Sequence, residues 1–354
     1  MRGDDLKPQA ELFLYSSVEA LIPGDHPLRA IRGVADAVLA AMSAEFDRLY
    51  ARHGRPSIAP EKLLRALLLQ VFYSVRSERL LMEQMRYNFL FRWFVGLGAY
   101  EEVWNHAVFS KNRERLLNQA VAQTFFSGVK QQAAGLMSDE HFTVDGTLIE
   151  AWAGQKSFRP KDPAQPGDGG DFRGQQRRND THASRTDPQA RLYRKGNGQE
   201  AKLAYLGHVL VENRNGLIAA AMATQADGFA ERDAGLLLAQ GLGPRRRRRS
   251  LGADKGYDSQ DFVTTVRELG FTPHVRQNQT ARRSAVDGRT TRHRGYAVSL
   301  SKRWLVEKPF GWMKSVGWIR KVKLRGLANI DWLFVFGCAA YNLLRIPKLR
   351  TQTT

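Results

Sequence analysis

Cysteine is nearly absent. Cys338 is the only one in 354 residues, which excludes an intrachain disulfide and any thiolate cluster around a metal. Long apolar runs are missing as well: the longest, Trp332 to Leu344, is too short to span a bilayer. The opening MRGDDLKPQAELF lacks the charged-then-apolar order of a secretory signal, so the expectation is a soluble, cytoplasmic protein. Eight histidines show no HxH or HxxxH spacing suited to zinc, and His208 and His274 read as packed or surface residues. Acids are the scarce charge: 35 Asp and Glu face 54 Lys and Arg, leaving a net charge of +19. An excess of that size points to a polyanionic partner, with nucleic acid the first candidate.

What is present is unevenly placed. Between Arg282 and Arg350 sixteen Lys or Arg stand against three acids, Asp287, Glu307 and Asp331. A solvated surface explains scattered charge, but a segment this lopsided marks a contact surface, so DNA is expected to lie along the C-terminal part. The 43% hydrophobic content is enough for one large core or two smaller ones.

The first part reads as helix after helix. Leu28, Ile31, Val34, Val38, Leu39, Met42, Phe46 and Leu49 recur at three- and four-residue steps after Pro27, with Gly54 as the stop. Pro60 opens a second helix with a face of Leu63, Leu64, Leu67, Leu68, Val71 and Phe72, and Ser77 caps a third. In VWNHAVFSKNRERLL, Ser110 before a basic stretch suggests a helix-turn-helix in which Lys111, Asn112 and Arg113 face DNA. Residues 1–135 are thus expected to form an all-α N-terminal domain for DNA binding and assembly.

At His141 the texture changes. HFTVDGTLIEAW alternates polar and apolar residues and reads as a strand interrupted by a turn at Gly146. Residues 154–200, dense in Gly, Pro, Asp, Gln and Arg without apolar period, are expected to form a long mobile insertion. A hairpin follows, turning at Asn215-Gly216. Then come a helix near Glu231 to Gln240, the Arg245 to Arg249 run, a strand into GADKGY, a helix from Ser259 to Leu269, a strand at FTPHV, and helices over Ser301 to Trp318 and Asp331 to Leu344. The order matches a ribonuclease H-like mixed β-sheet flanked by helices, over residues 136–354.

Such a sheet brings together Asp145 on the first strand, Asp254 just after the strand reaching Ala253, and Glu307 on the helix from Ser301. Phosphodiester cleavage needs an activated oxygen nucleophile and a stabilised leaving oxygen, and two hard divalent ions held by carboxylates supply both. Each Asp alone also reads as a turn or capping residue. Arg303 and Lys314, four residues before Glu307 and seven after it, fall on one face of a single helix and read either as a salt-bridged stripe or as grips on the phosphates flanking the cleavage point. His141, four residues before Asp145 on the strand, shares its face. Arg245 to Arg249 reads as a solvated loop or a DNA contact. Trp312 and Trp318 read as core residues or as platforms for an extruded base, and Trp152 is open to the same two readings.

FTVDGTLIEAW, LGADKGYDS and RWLVEKPFGWMK resemble the three catalytic blocks of DDE transposases of insertion sequences, specifically the insertion sequence five family. SVEALIPGDHPLRAI and PSIAPEKLLRALLLQVFYSVRSERLLMEQM resemble that family's helical N-terminal part, and RLYRKGNGQEAKLAYLGHVLVENRNGLI and DGRTTRHRGYAVS its catalytic domain. The resemblance implies two Mg2+ ions, replaceable by Mn2+, bound by Asp145, Asp254 and Glu307, and cleavage of double-stranded DNA at the element's inverted-repeat ends. The freed 3′-hydroxyl then attacks target DNA, on an assembly of at least two copies. Of the family's Tyr, Arg, Glu, Lys signature, Arg303, Glu307 and Lys314 match the last three positions, while Leu300 stands at the Tyr position and removes any phenolic contact there. Arg320, Lys321, Lys111 and Arg113 complete the residues expected on DNA. The rival readings are a ribonuclease H-like nuclease without strand transfer and a transposase-derived protein that only binds DNA.

Overall fold

A computed structural model of the chain describes residues 17–352 apart from 52, 54–56, 118, 163–176, 195, 197, 281–282 and 318. The expected stop at Gly54 and the ring of Trp318 fall outside the described residues.

Seven helices come first: α1 (Pro27–Ala41), α2 (Ser43–Leu49), α3 (Pro60–Phe72), α4 (Glu78–Tyr87), α5 (Phe89–Val95), α6 (His106–Leu116) and α7 (Gln119–Gln132). Pro27 and Pro60 open their helices, where a missing N–H costs nothing. Ser77 caps α4 by accepting from Leu80 N. The third helix is shorter than expected because Asn88 turns outward and caps α5, accepting from Phe91 N, and Gly96 closes α5 at φ 88°. The basic helix likewise starts earlier than expected, at the Asn105 cap, leaving Ser110 in its interior, hydrogen-bonded to Glu78.

The second part contains β1 (His141–Ala151), β2 (Phe158–Pro160), β3 (His182–Ser184), β4 (Arg191–Tyr193), β5 (Lys202–Glu212), β6 (Ile218–Gln225), α8 (Ala230–Gln240), β7 (Arg249–Ala253), α9 (Gln260–Glu268), β8 (Phe271–Val275), α10 (Gly288–Thr291), α11 (Arg294–Lys302), α12 (Glu307–Ser315), β9 (Lys321–Val322) and α13 (Leu327–Gln352). The main sheet runs β6-β5-β1-β7-β8, antiparallel across the first three and parallel across the last three, with β4 beside β5 and β9 beside β1. Three antiparallel strands followed by helical crossovers into parallel ones make the expected ribonuclease H-like mixed sheet.

Alternation along β1 sorts its side chains between two faces. Phe142 and Val144 join Leu238, Tyr257 and Phe262 under α8 and α9, while Ile149 joins a larger core with Phe310, Met313 and much of α13. That larger core runs without a break from Ile22 to Leu349. Helix α13 packs on β6, α7, α1 and α3, so the N-terminal helices and the sheet share one interior. By length and composition α13 would also cross a bilayer, but 78% of its apolar window is buried here, and core packing accounts for its character.

Three expectations change in kind. First, β1 is not interrupted at Gly146. The glycine is there because a Cβ would meet the Glu231 side chain at 3.0 Å, a close approach of α8 rather than a turn. Second, the described part of 154–200 is not structureless: β2 and β3 pair with each other and β4 joins the main sheet. Third, the single helix expected over Ser301–Trp318 is three pieces, α11, a 3-10 turn at 303–306, and α12. Pro309 explains the break. It has no N–H for the Leu305 carbonyl and its ring would strike that group in a continuous helix, so it sits in the first turn of a new one.

Candidate active site

Strands β1 and β7 pair in parallel as His141 with Ser250, Phe142 with Leu251 and Thr143 with Gly252. Two more residues in that register set Asp145 opposite Asp254, at the level where β7 has just ended. Neighbouring strands lie about 4.8 Å apart, and register partners point to the same face. The first two acids therefore stand side by side across the opening between two parallel strands. Each carboxylate is oriented locally: Asp145 Oδ1 accepts from Gly146 N at 2.8 Å, and Asp254 Oδ1 caps the following turn by accepting from Lys255 N at 2.6 Å.

Glu307, exposed at the start of α12, follows a turn that packs against the sheet. The 303–306 turn packs on β1 and β5, and Arg303 Nη1 lies 3.8 Å from Asp254 Oδ2. Further along α12, Lys314 lines a cleft with Leu148, Glu150, Lys202, Gly311 and Arg320. Glu307 precedes Lys314 by about 10 Å of helix, and Asp145 precedes Leu148 by about 10 Å of strand. Arg303, by contrast, is not on the same helix face as Glu307 and Lys314, because it belongs to the 3-10 turn before α12. It reaches the site through Asp254 instead.

As they stand, no three His, Cys, Asp or Glu side chains among the described residues are closed tightly enough to hold an ion. Even so, the donor chemistry of Asp145, Asp254 and Glu307 fits a hard divalent cation, since all three are carboxylates. Beside them the Tyr257 hydroxyl is buried and without a hydrogen-bond partner, a polar atom that water on a bound ion would satisfy. Burial pushes the Tyr257 pKa well up, and the nearby Asp145, Glu231 and Asp254 push it further.

The remaining expected residues divide. Lys111 is exposed, but Arg113 is tied to Glu78 and Asn112 is buried, donating to the Val108 carbonyl at 2.8 Å; both serve the helical packing. Arg320 and Lys321 are exposed at the far end of the α12 cleft. His141 is largely buried, which lowers its pKa, and sits 2.5 Å from Ser299 Oγ and 3.0 Å from Asn213 Nδ2. In the arginine run, Arg245 and Arg249 are held by Asp139 while Arg246, Arg247 and Arg248 face solvent. Trp312 packs against Tyr341 beside the larger core, and Leu300, on α11, packs against the smaller one.

Sequence reasoning left Trp152 open between core and platform, and it passed over Trp304 and a second cleft. Trp152 is 47% exposed with the ammonium groups of Lys321 and Lys323 over its ring at 5.4 and 5.8 Å, and Trp304 carries Lys308 at 4.3 Å. These are exposed cation-aromatic pairs. Arg276 and Lys255 line a second cleft beside Asp254. Trp152 and the Lys321 strand are far apart in sequence and meet only because β9 pairs with the end of β1.

Comparison with known proteins gives two family matches: Transposase domain (DUF772) over residues 16–115 and Transposase DDE domain over residues 138–343. Comparison with curated proteins finds no match. Among solved structures, a piggyBac transposase synaptic complex with hairpin DNA is similar at 9% identity, covering 92% of this chain and 76% of the other, with a TM-score of 0.40. The Mos1 strand transfer complex is similar at 11% identity, 89% and 84% coverage and a TM-score of 0.24, and a Mos1 mariner paired end complex with Mn at 14%, 95% and 90%, and 0.20. The family assignment does not rest on these distant likenesses. The DDE domain match takes in more than half of the chain, including both strands and the helix that carry Asp145, Asp254 and Glu307, and the chain belongs to the DDE transposases.

Proposed function

We propose that this DDE transposase, of the insertion sequence five type, binds the inverted-repeat ends of its element, hydrolyses a phosphodiester there and joins the freed 3′-hydroxyl to target DNA. Enzymes of this family use divalent metal ions; here the reading is two Mg2+ ions, with Mn2+ able to replace them, held by Asp145, Asp254 and Glu307. The observation that carries it is the β1–β7 register, which aligns Asp145 with Asp254, and it is supported by the turn at 303–306, which packs on β1 and β5 immediately before Glu307. When bound, such ions lower the pKa of an attacking oxygen and neutralise charge on the leaving one.

The chain's own part is positioning. Asp145 and Asp254 project from neighbouring strands of a packed sheet, so their separation is fixed by backbone pairing rather than by loops. Arg303 on one side and Lys314 with Arg320 on the other supply phosphate grips about one helix length apart, flanking the acids along the DNA path. The basic surface continues through Lys321 and on to Lys111 of the helical part. No Ser or Tyr nucleophile is required, because water and then a DNA hydroxyl attack in turn. Holding two element ends at once calls for at least two copies on DNA, and the compartment that fits is the bacterial cytoplasm, at the nucleoid.

The test is Asp145→Asn and Glu307→Gln assayed with element-end DNA. Both lose Mg2+-dependent cleavage and strand transfer by at least about 1,000-fold while DNA binding persists. Normal cleavage by both variants would overturn the assignment, and cleavage without joining in the wild type would reduce the protein to a nuclease.

A further inference from the structure

Beneath the acids, on the face of β1 that α8 covers, lies a second polar cluster that shares Tyr257 with the site above and adds Glu231 and His208, which the three-carboxylate reading does not use. Gly146 lies beyond the last paired residue of β7, so this edge of β1 is open, and the first turn of α8 covers it. A Cβ on Gly146 would lie 3.0 Å from both Cγ and Oε1 of Glu231 and 3.1 Å from Nδ1 of His208, the residue paired with Gly146 across β5. His208 has no solvent exposure, and its Nδ1 has no partner, since its hydrogen bond to Thr224 Oγ1 uses Nε2. The Tyr257 ring passes under Gly235, one helical turn beyond Glu231 on the same side of α8, 3.3 Å from where a Cβ would be. Its hydroxyl, 1% exposed for the residue as a whole, is the second unpartnered polar atom. Tyr257 also belongs to the turn that Asp254 caps, so that turn links the two faces.

Two fully buried, unpartnered polar atoms beside a carboxylate are costly unless something polar completes them. We propose that Glu231 is a fourth carboxylate of the metal centre, reaching a divalent ion around the open edge of β1, with His208 Nδ1 and the Tyr257 hydroxyl holding that ion's water. The inference rests on the metal-dependent reading of Asp145, Asp254 and Glu307. Gly146 is then explained as well: any side chain there would occupy the place of the Glu231 carboxylate.

The experiment is calorimetric titration of the full-length protein with Mn2+ in the absence of DNA, with the Mn2+-induced rise in Tm as a second readout. Glu231→Gln weakens Mn2+ binding by roughly ten-fold or more, as Asp145→Asn does, while its metal-free Tm stays at or above wild type because an anion has been removed from a crowded site. Asp233→Asn, exposed on the same helix, keeps wild-type affinity. Gly146→Ala, which displaces the Glu231 side chain, repeats the loss and stands in if Glu231→Gln does not fold. Wild-type Mn2+ affinity in Glu231→Gln alongside a loss in Asp145→Asn overturns the fourth ligand and leaves the three-carboxylate site standing. Wild-type affinity in both overturns the site itself.

Discussion

The roles proposed for Asp145 and Asp254 rest on the pair. Alone, each reads as a turn or capping residue, and each does accept a local backbone N–H. Asp254 was legible because it follows the end of an apolar strand, whereas Asp145 lies within β1, which does not stop at Gly146. Tyr257, whose hydroxyl lies among the carboxylates, was not legible, because a tyrosine in LGADKGYDS carries no local sign of where its ring will be buried. The same holds for His274, whose burial was one of two readings that the sequence left open. It is 8% exposed, its ring lies 6.1 Å from that of His141, and its pKa is lowered to about 4 by burial and by His141 and His293. An unfolded histidine titrates near 6.5, so the neutral ring contributes stability that is whole above pH 6.5 and is lost as pH falls toward 4. Denaturant titrations at pH 7 and pH 5 should differ by on the order of 1–2 kcal/mol through this group, and His274→Gln should flatten that dependence.

Among the elements, those with local signals were readable: proline-opened α1 and α3, the β5–β6 hairpin with Gly216 at φ 71°, and β7, α9 and β8 in turn. The pieces that were misread depend on partners distant in sequence. β4 and β9 are two or three residues long and exist because β5 and β1 offer them an edge. Gly146 needed α8 to explain it, and the break before α12 needed attention to Pro309 rather than to charge spacing. Close approach recurs at Gly207, where a Cβ would lie 2.5 Å from the Phe334 ring of α13. Gly207→Ala should therefore force β5 and α13 apart and cost about 1–3 kcal/mol in an unfolding titration. An unchanged midpoint would mean that Phe334 swings aside freely.

Over the whole molecule, the net charge of +19 sets the strength of DNA association, and its layout decides which cations count. Exposed Arg320 and cleft-lining Lys314 should each contribute about one unit to the slope of log affinity against log salt, so Lys314→Ala and Arg320→Ala should each flatten it by that amount. Arg113, engaged with Glu78, should not: Arg113→Met should lower stability and leave the slope alone. Equal slopes for all three variants would place the DNA elsewhere on the surface.

The outer strand β6 shows how the long terminal helix shapes what this protein can do in company. Asn342 clamps Ile218 with two hydrogen bonds of 2.9 Å, and Asp331 accepts from Ala223 N at 2.6 Å. The main-chain groups of Ile218 and the Ala223 N–H, which a foreign strand would seek, are thereby already satisfied from within the same polypeptide. Addition of a foreign strand at this margin is hindered while α13 stays docked.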